Sequence, residues 1–121
     1  MRTPARNFED LIVWQKAHEF VVNTYKETQA FPKVEIYGLT SQFRRAAVSI
    51  PANIAEGFRK RSELDKKRMF NIAEGSLEEC RYYLLLSYDL GYLERGKLWE
   101  ASKEVAKLLN AYRNAIMVPE Q

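Results

Sequence analysis

A single cysteine (Cys80) and a single histidine (His18) leave this sequence short of the side chains that most chemistry requires. One thiol excludes an internal disulfide framework and suits a reducing compartment. One histidine excludes the paired Glu-x-x-His arrangement on which di-iron helical bundles depend, so no metal site and no cofactor is expected. Glycine occurs 5 times and proline 4 times in 121 residues, too seldom for a turn-rich all-β fold. Gly57, Gly75, Gly91 and Gly96 stand isolated, so there is no glycine-rich phosphate loop. Long apolar runs are missing as well. Nothing approaches the roughly 18 residues of a membrane span, and the opening MRTPARNFED carries no apolar signal core. The expected setting is cytoplasmic, away from membranes.

The remaining candidates for catalysis are weak. His18 lies one turn after Trp14 with no carboxylate at a triad-like spacing, and reads as a packed or solvated helix residue. Cys80 falls on an apolar stripe and reads as a small core residue rather than a nucleophile. No enzyme is expected.

What is present is helical periodicity. Hydrophobic residues make up 46% and charged residues 29%, enough apolar material for the core of one domain spanning 1–121. Val13, Trp14, Ala17, Phe20, Val21 and Thr24 recur at three- and four-residue steps and predict a first helix over 8–31. Asn7 is its expected N-cap, Glu9 and Asp10 suit its positive end, and Phe-Pro-Lys at 31–33 stops it. Leu39, Phe43, Ala46, Ile50 and Ile54 predict a second helix over 34–57. Its stripe keeps phase across Pro51, which predicts one helix bent there rather than two. Ser62 and Asp65, spaced as a capping box, predict the start of a third helix over 63–90 carrying Phe70, Ala73, Leu77, Cys80, Leu84 and Ser87. Leu98, Ser102, Val105, Leu109, Tyr112 and Ile116 mark a fourth over 95–117. Short connections between such helices predict an all-α, antiparallel, up-down-up-down four-helix bundle.

The second helix carries more than a core stripe. At about 100° per residue, Gln42, Arg45, Ser49, Asn53 and Glu56 form a polar strip beside it. The strip reads either as a structural network, with Arg45 paired to Glu74, Glu78 or Glu79 of the third helix, or as a ligand groove. Opposite the core, where charge belongs, lie Val48, Ala52 and Ala55. A helix apolar or small on several faces is buried on several faces, so these three predict an interface between copies of the chain.

Charge concentrates in one connection. Six of ten residues in 59–68 are cationic: Arg59, Lys60, Arg61, Lys66, Lys67 and Arg68. Arg44 and Arg81 are candidates to extend the patch. Clustered cations bind phosphate backbones without reading sequence, whereas Glu63 and Asp65 favour a plain solvated turn. The net charge of +3 permits contact with RNA or DNA without requiring it.

The blocks YGLTSQFRRAAVSIPANIAEGFRKRS and FNIAEGSLEE, with FEDLIVWQKA ahead of them, resemble a bacterial four-helix-bundle family encoded in intervening sequences of 23S rRNA genes. Its members are often labelled S23 ribosomal proteins. The resemblance covers about residues 8–109 and is most specific over 37–57. It implies an antiparallel bundle that assembles as a ring, a pentamer. It extends to the accessory variability determinant of diversity-generating retroelements, a basic pentamer that binds nucleic acid and a reverse transcriptase. Of the family motif this chain keeps Gln42, Arg45, Ser49, Asn53, Glu56 and Gly57, then Gly75, Ser76 and Glu79. The resulting expectation is a non-enzymatic oligomer that binds RNA or DNA or assists a reverse transcriptase. The competing expectation is a scaffold with no nucleic-acid role.

Overall fold

The computed structural model describes residues 4–117, and within them four α-helices and two 3-10 turns account for the regular structure. The helices are α1 (Ile12–Thr28), α2 (Leu39–Arg59), α3 (Glu63–Asp89) and α4 (Lys97–Met117). At 1.5 Å per residue α2 is about 32 Å long, and the three residues before α3 cannot return the chain to its other end. The two helices must therefore run antiparallel. Cross-helix contacts bear this out, since Gln42 faces Tyr83, Ser49 faces Ser76 and Gly57 faces Phe70. The α3–α4 pair descends the same way, from Phe70 on Tyr112 and Glu74 on Arg113 to Arg81 on Trp99. Each helix packs on its two neighbours around a square, α4 closes against α1, and α2–α3 is the most extensive interface.

The four apolar stripes meet inside. Val13, Ala17 and Phe20 from α1 pack with Phe43, Ile50 and Ile54 from α2. Ala73, Leu77, Cys80 and Leu84 from α3 and Val105 and Leu109 from α4 complete the core. Polar groups on the stripes are satisfied within their own helices. Thr24 donates to the Phe20 carbonyl at 2.8 Å, Thr28 to Thr24 at 2.7 Å, Ser87 to Tyr83 at 2.7 Å and Ser102 to Trp99 at 2.6 Å. A hydroxyl bonded back to its own helix is buried without leaving a donor unpaired.

The helix α2 continues unbroken through Pro51, itself buried. Proline has no N–H, so the Ala47 carbonyl lacks its usual partner, at a cost of about 3 kcal/mol in an isolated helix. Ile50 and Ile54, wholly buried on either side, supply the opposing packing. At Gly57 an added Cβ would lie 3.0 Å from the Cβ of Met69. A side chain there would force α2 and α3 apart by a few tenths of an ångström.

Three helix starts differ from the sequence expectation, while α1 ends at Thr28 rather than 31, α2 at Arg59 rather than 57 and α3 at Asp89 rather than 90. Asn7 does not cap α1. It caps a separate 3-10 turn, Phe8–Asp10, accepting from the Glu9 N–H at 3.0 Å while Asp10 accepts from the Asn7 N–H at 3.3 Å. Leu11 is then extended (φ −78°, ψ 126°) before α1 begins. The start expected at residue 34 moves to Leu39, because Lys33–Glu35 close a 3-10 turn after Pro32 and Gly38 leaves helical geometry (φ −114°, ψ −115°). The cap comes from a side chain further back: the Glu35 carboxylate accepts the Leu39 N–H at 3.2 Å and the Tyr92 hydroxyl at 2.9 Å. A carboxylate at a helix N-terminus also complements its dipole. The fourth helix begins at Lys97 rather than 95.

The ends of α3 match their sequence signals. Ser62 accepts the Asp65 N–H at 3.1 Å, so Ser62→Ala is expected to cost about 1 kcal/mol in urea unfolding. At the other end Gly91 adopts φ 75°, which lets the Tyr92 N–H reach the Ser87 carbonyl (2.9 Å) and its own N–H reach Tyr88 (3.1 Å). This is the Schellman closure that favours glycine. Among the described residues no helix is long and apolar enough to cross a membrane.

Candidate nucleic-acid interface

The α2–α3 turn forms one tip of the bundle, and the eight candidate cations divide into two groups around it. Arg44 is not at the tip. It lies about 22 Å back along α2 from Arg59, with its guanidinium 4.6 Å from the Tyr25 ring and its Nε donating to Thr28 Oγ1 at 2.9 Å. Arg81 is equally remote, stacked 4.7 Å over Trp99 and paired with Glu78 at 3.1 Å. Lys66 is at the tip but turned inward: its ammonium donates to the Phe58 carbonyl at 2.8 Å and to Gly57 at 3.3 Å. It thereby serves the Phe58 carbonyl at the C-terminus of α2 and shares the Gly57 carbonyl with the Lys60 N–H. Arg68 stands 4.0 Å from Asp65. Arg59, Lys60, Arg61 and Lys67 have no carboxylate within 4.0 Å among the described residues. These four cations, two in the turn and one on each flanking helix, remain available to an external anion.

The polar strip of α2 faces α3 across a groove of about 480 Å³. Its floor is a chain of hydroxyls. Ser76 donates to Ser49 Oγ at 2.9 Å, and the Asn53 amide donates to the same oxygen at 2.9 Å and to the Ser49 carbonyl at 2.7 Å. Further along, the Tyr83 hydroxyl lies 2.5 Å from Glu79 Oε2 and 3.2 Å from Gln42 Oε1. Its one proton belongs to the carboxylate, the stronger acceptor. Glu56 is exposed beyond the groove and does not line it.

Arg45 departs from the pairing anticipated for it. Glu74 is taken by Arg113 at 3.1 Å and Glu78 by Arg81. Glu79, on the opposite wall, does not come within 4.0 Å of Arg45. Glu79 is instead engaged by Tyr83 one turn along its own helix, and Arg45 stays exposed on the rim. Tyr37, Ser41 and Tyr83 also line the groove and were not singled out from the sequence. For Tyr83 a signal existed, its i, i+4 spacing from Glu79; Tyr37 sits in a connection and had none.

Burial, and next the hydrogen bond to and charge of Glu79, push the Tyr83 phenol up to about 12. In the unfolded chain it ionises near 10.0, so the fold holds this proton more tightly. The associated stability is complete below pH 10 and is lost as the pH climbs toward 12. Tyr83→Phe is therefore expected to flatten the loss of stability over that window, read as urea midpoints against pH. An unchanged alkaline limb would refute the linkage.

The third set of candidates points outward. Val48 is 41% exposed, Ala52 is exposed and Ala55 half-buried. His18 is exposed and stacked on Trp14 at 5.0 Å with ring planes 5° apart. Cys80 is buried, and desolvation followed by the charge of Glu79 raises its thiol well above the ordinary range. Among the described residues there is no cluster of three or more His, Cys, Asp or Glu suited to a metal ion.

The chain has a structural relative among solved proteins. It is similar to a solved structure from Bacteroides thetaiotaomicron VPI-5482, described as a protein with unknown function from the S23 ribosomal protein family. The two share 27% identity with a TM-score of 0.77, over 85% of this chain and 96% of that one. No curated protein is significantly similar. A family model described as 23S rRNA-intervening sequence protein matches residues 9–112, which takes in parts of all four helices, the basic tip and the α2–α3 groove. The chain belongs to the 23S rRNA-intervening sequence protein family.

Proposed function

We propose that this protein acts by binding rather than catalysis, and that it grips the phosphate backbone of RNA or DNA through the α2–α3 tip. The observation that carries this reading is the group Arg59, Lys60, Arg61 and Lys67, four cations at one end of the bundle without a carboxylate within 4.0 Å among the described residues. Each phosphate neutralised by such a group releases condensed counterions, which makes the binding salt-dependent and insensitive to sequence.

Four contacts predict a slope of log K against log salt of about −3 per protomer, or roughly 50- to 150-fold weaker binding at 200 mM than at 50 mM salt. Fluorescence anisotropy with a labelled RNA measures this directly. No retention of RNA or DNA at 50 mM salt would end the proposal.

A second reading rests on Val48, Ala52 and Ala55, which α2 turns away from its own core. In this reading the face packs against further copies of the chain, and a ring repeats the basic tip so that several weak contacts act together. A monomer by sedimentation equilibrium at micromolar concentration would dispose of it.

A further inference from the structure

The α2–α3 groove lies about 21 Å along α2 from Arg59, and its walls differ chemically from the tip. Two tyrosines, Tyr37 and Tyr83, line it. Tyr83 forms part of the wall, Tyr82 packs against Tyr83 with ring centroids 6.0 Å apart, and Tyr37 stands beside it 93% exposed. Arg45 sits on the rim and also lines a second hollow of about 310 Å³, shared with Arg44, which is stacked on Tyr25. Inside are an amide (Gln42), two linked hydroxyls (Ser49 and Ser76) and a carboxylate (Glu79) with one oxygen engaged by Tyr83.

Resting on the phosphate-binding reading of the tip, we propose that this groove receives one unstacked base of a single-stranded nucleic acid. Tyr37 supplies the stacking face, Arg45 the contact to the adjoining phosphate, and Glu79 reads the edge of the base. Every base has a π-face, and aromatic stacking is the common device for holding single strands. An exposed ring beside a cation, over a concave polar floor, suits a base that has left its stack. A base within a duplex stays stacked and offers no free face.

The carboxylate adds a preference. An ionised Glu79 only accepts hydrogen bonds, so it favours cytosine, which presents an N4 amino donor, over uracil, which presents an oxygen there. It also repels phosphate, which directs the backbone to the Arg45 side. The groove thus discriminates by base edge and strand state, while the tip discriminates by neither.

The test uses labelled 12-nucleotide oligocytidine and oligouridine and a 12-base-pair RNA duplex, with anisotropy recorded at 50 mM salt and pH 7.5. Tyr37→Ala is expected to weaken the single strands about tenfold and leave the duplex unchanged. Tyr37→Phe retains single-strand affinity, since the ring remains. Glu79→Gln abolishes the preference for oligocytidine over oligouridine. Arg59→Ala with Arg61→Ala weakens strands and duplex alike. Because Tyr37 is almost wholly exposed, its replacement leaves the fold intact, which circular dichroism checks. If Tyr37→Ala changes nothing, or weakens strand and duplex equally, the groove proposal fails while the tip proposal stands. If the unmodified protein binds neither, both fail.

Discussion

Alanine at Phe43 is expected to remove about 3–5 kcal/mol of stability. The ring is wholly buried in the α2 stripe and packs against Tyr83 at 5.9 Å between centroids. Truncation forfeits the transfer free energy of the ring and opens a cavity that the core refills only in part. The surrounding helices are held by their other contacts, Ala46, Ala47 and Ile50 on α2 and Leu84 on α3 among them, and cannot all move inward. Domains of this size have roughly 5–15 kcal/mol in total, so the variant should unfold at a much lower urea midpoint with its slope preserved. A loss below about 1 kcal/mol would show that the core is not packed around this ring. The same substitution withdraws the support behind Tyr83 and so loosens the groove wall, although residue 43 never touches the groove.

The second large effect is electrostatic. Replacing Arg59, Arg61 and Lys67 together by alanine is expected to lower affinity for RNA or DNA by about 100- to 500-fold at 0.1 M salt, and to reduce the salt slope by about 2 to 3. The loss should be uniform across sequences, since phosphate contacts carry no base information. Stability should change little, because none of the three side chains has an ion-pair partner among the described residues. Lys66→Ala provides the contrast. Its ammonium serves the carbonyls of Gly57 and Phe58, so its loss should appear in urea unfolding more than in binding. Equal losses of affinity from Lys66→Ala and from Lys67→Ala would mean that the tip acts only through its overall charge.

The helices were legible because periodicity is a local property. Phe70, Ala73, Leu77, Cys80, Leu84 and Ser87 fall on one face whatever surrounds them, and all six are buried. Ser62 and Gly91 were equally local, a cap and a left-handed stop whose partners lie within a few residues. The start of α2 depends instead on a partner far away in the chain. The N-terminus of α2 is stabilised by Glu35, which is held in turn by Tyr92, 57 residues on. No local signal announces such a cap, and Val34 through Gly38 looked like a helical start.

The candidate site repeats the contrast. The charges of 59–68 are visible in the sequence and fall at the α2–α3 turn, but their number does not sort them. Long cationic stems reach whatever is nearest, so Lys66 turns back to α2 and Arg68 toward Asp65. Arg44 and Arg81, both attractive from composition, are committed to Tyr25 and Trp99 on neighbouring helices.

By itself, then, the sequence determined the number and phase of the helices, the continuity of α2 through Pro51, and most of the buried residues, although Trp14, Val21, Tyr112 and Ile116 are only half-buried. Each of these follows from spacing along one helix. Only the tertiary structure decided which cations lack a carboxylate partner among the described residues, that Arg45 faces an open groove, and that Tyr37 stands at its edge. Those outcomes depend on the register between α2 and α3, and register is a property of two packed surfaces that neither helix carries alone.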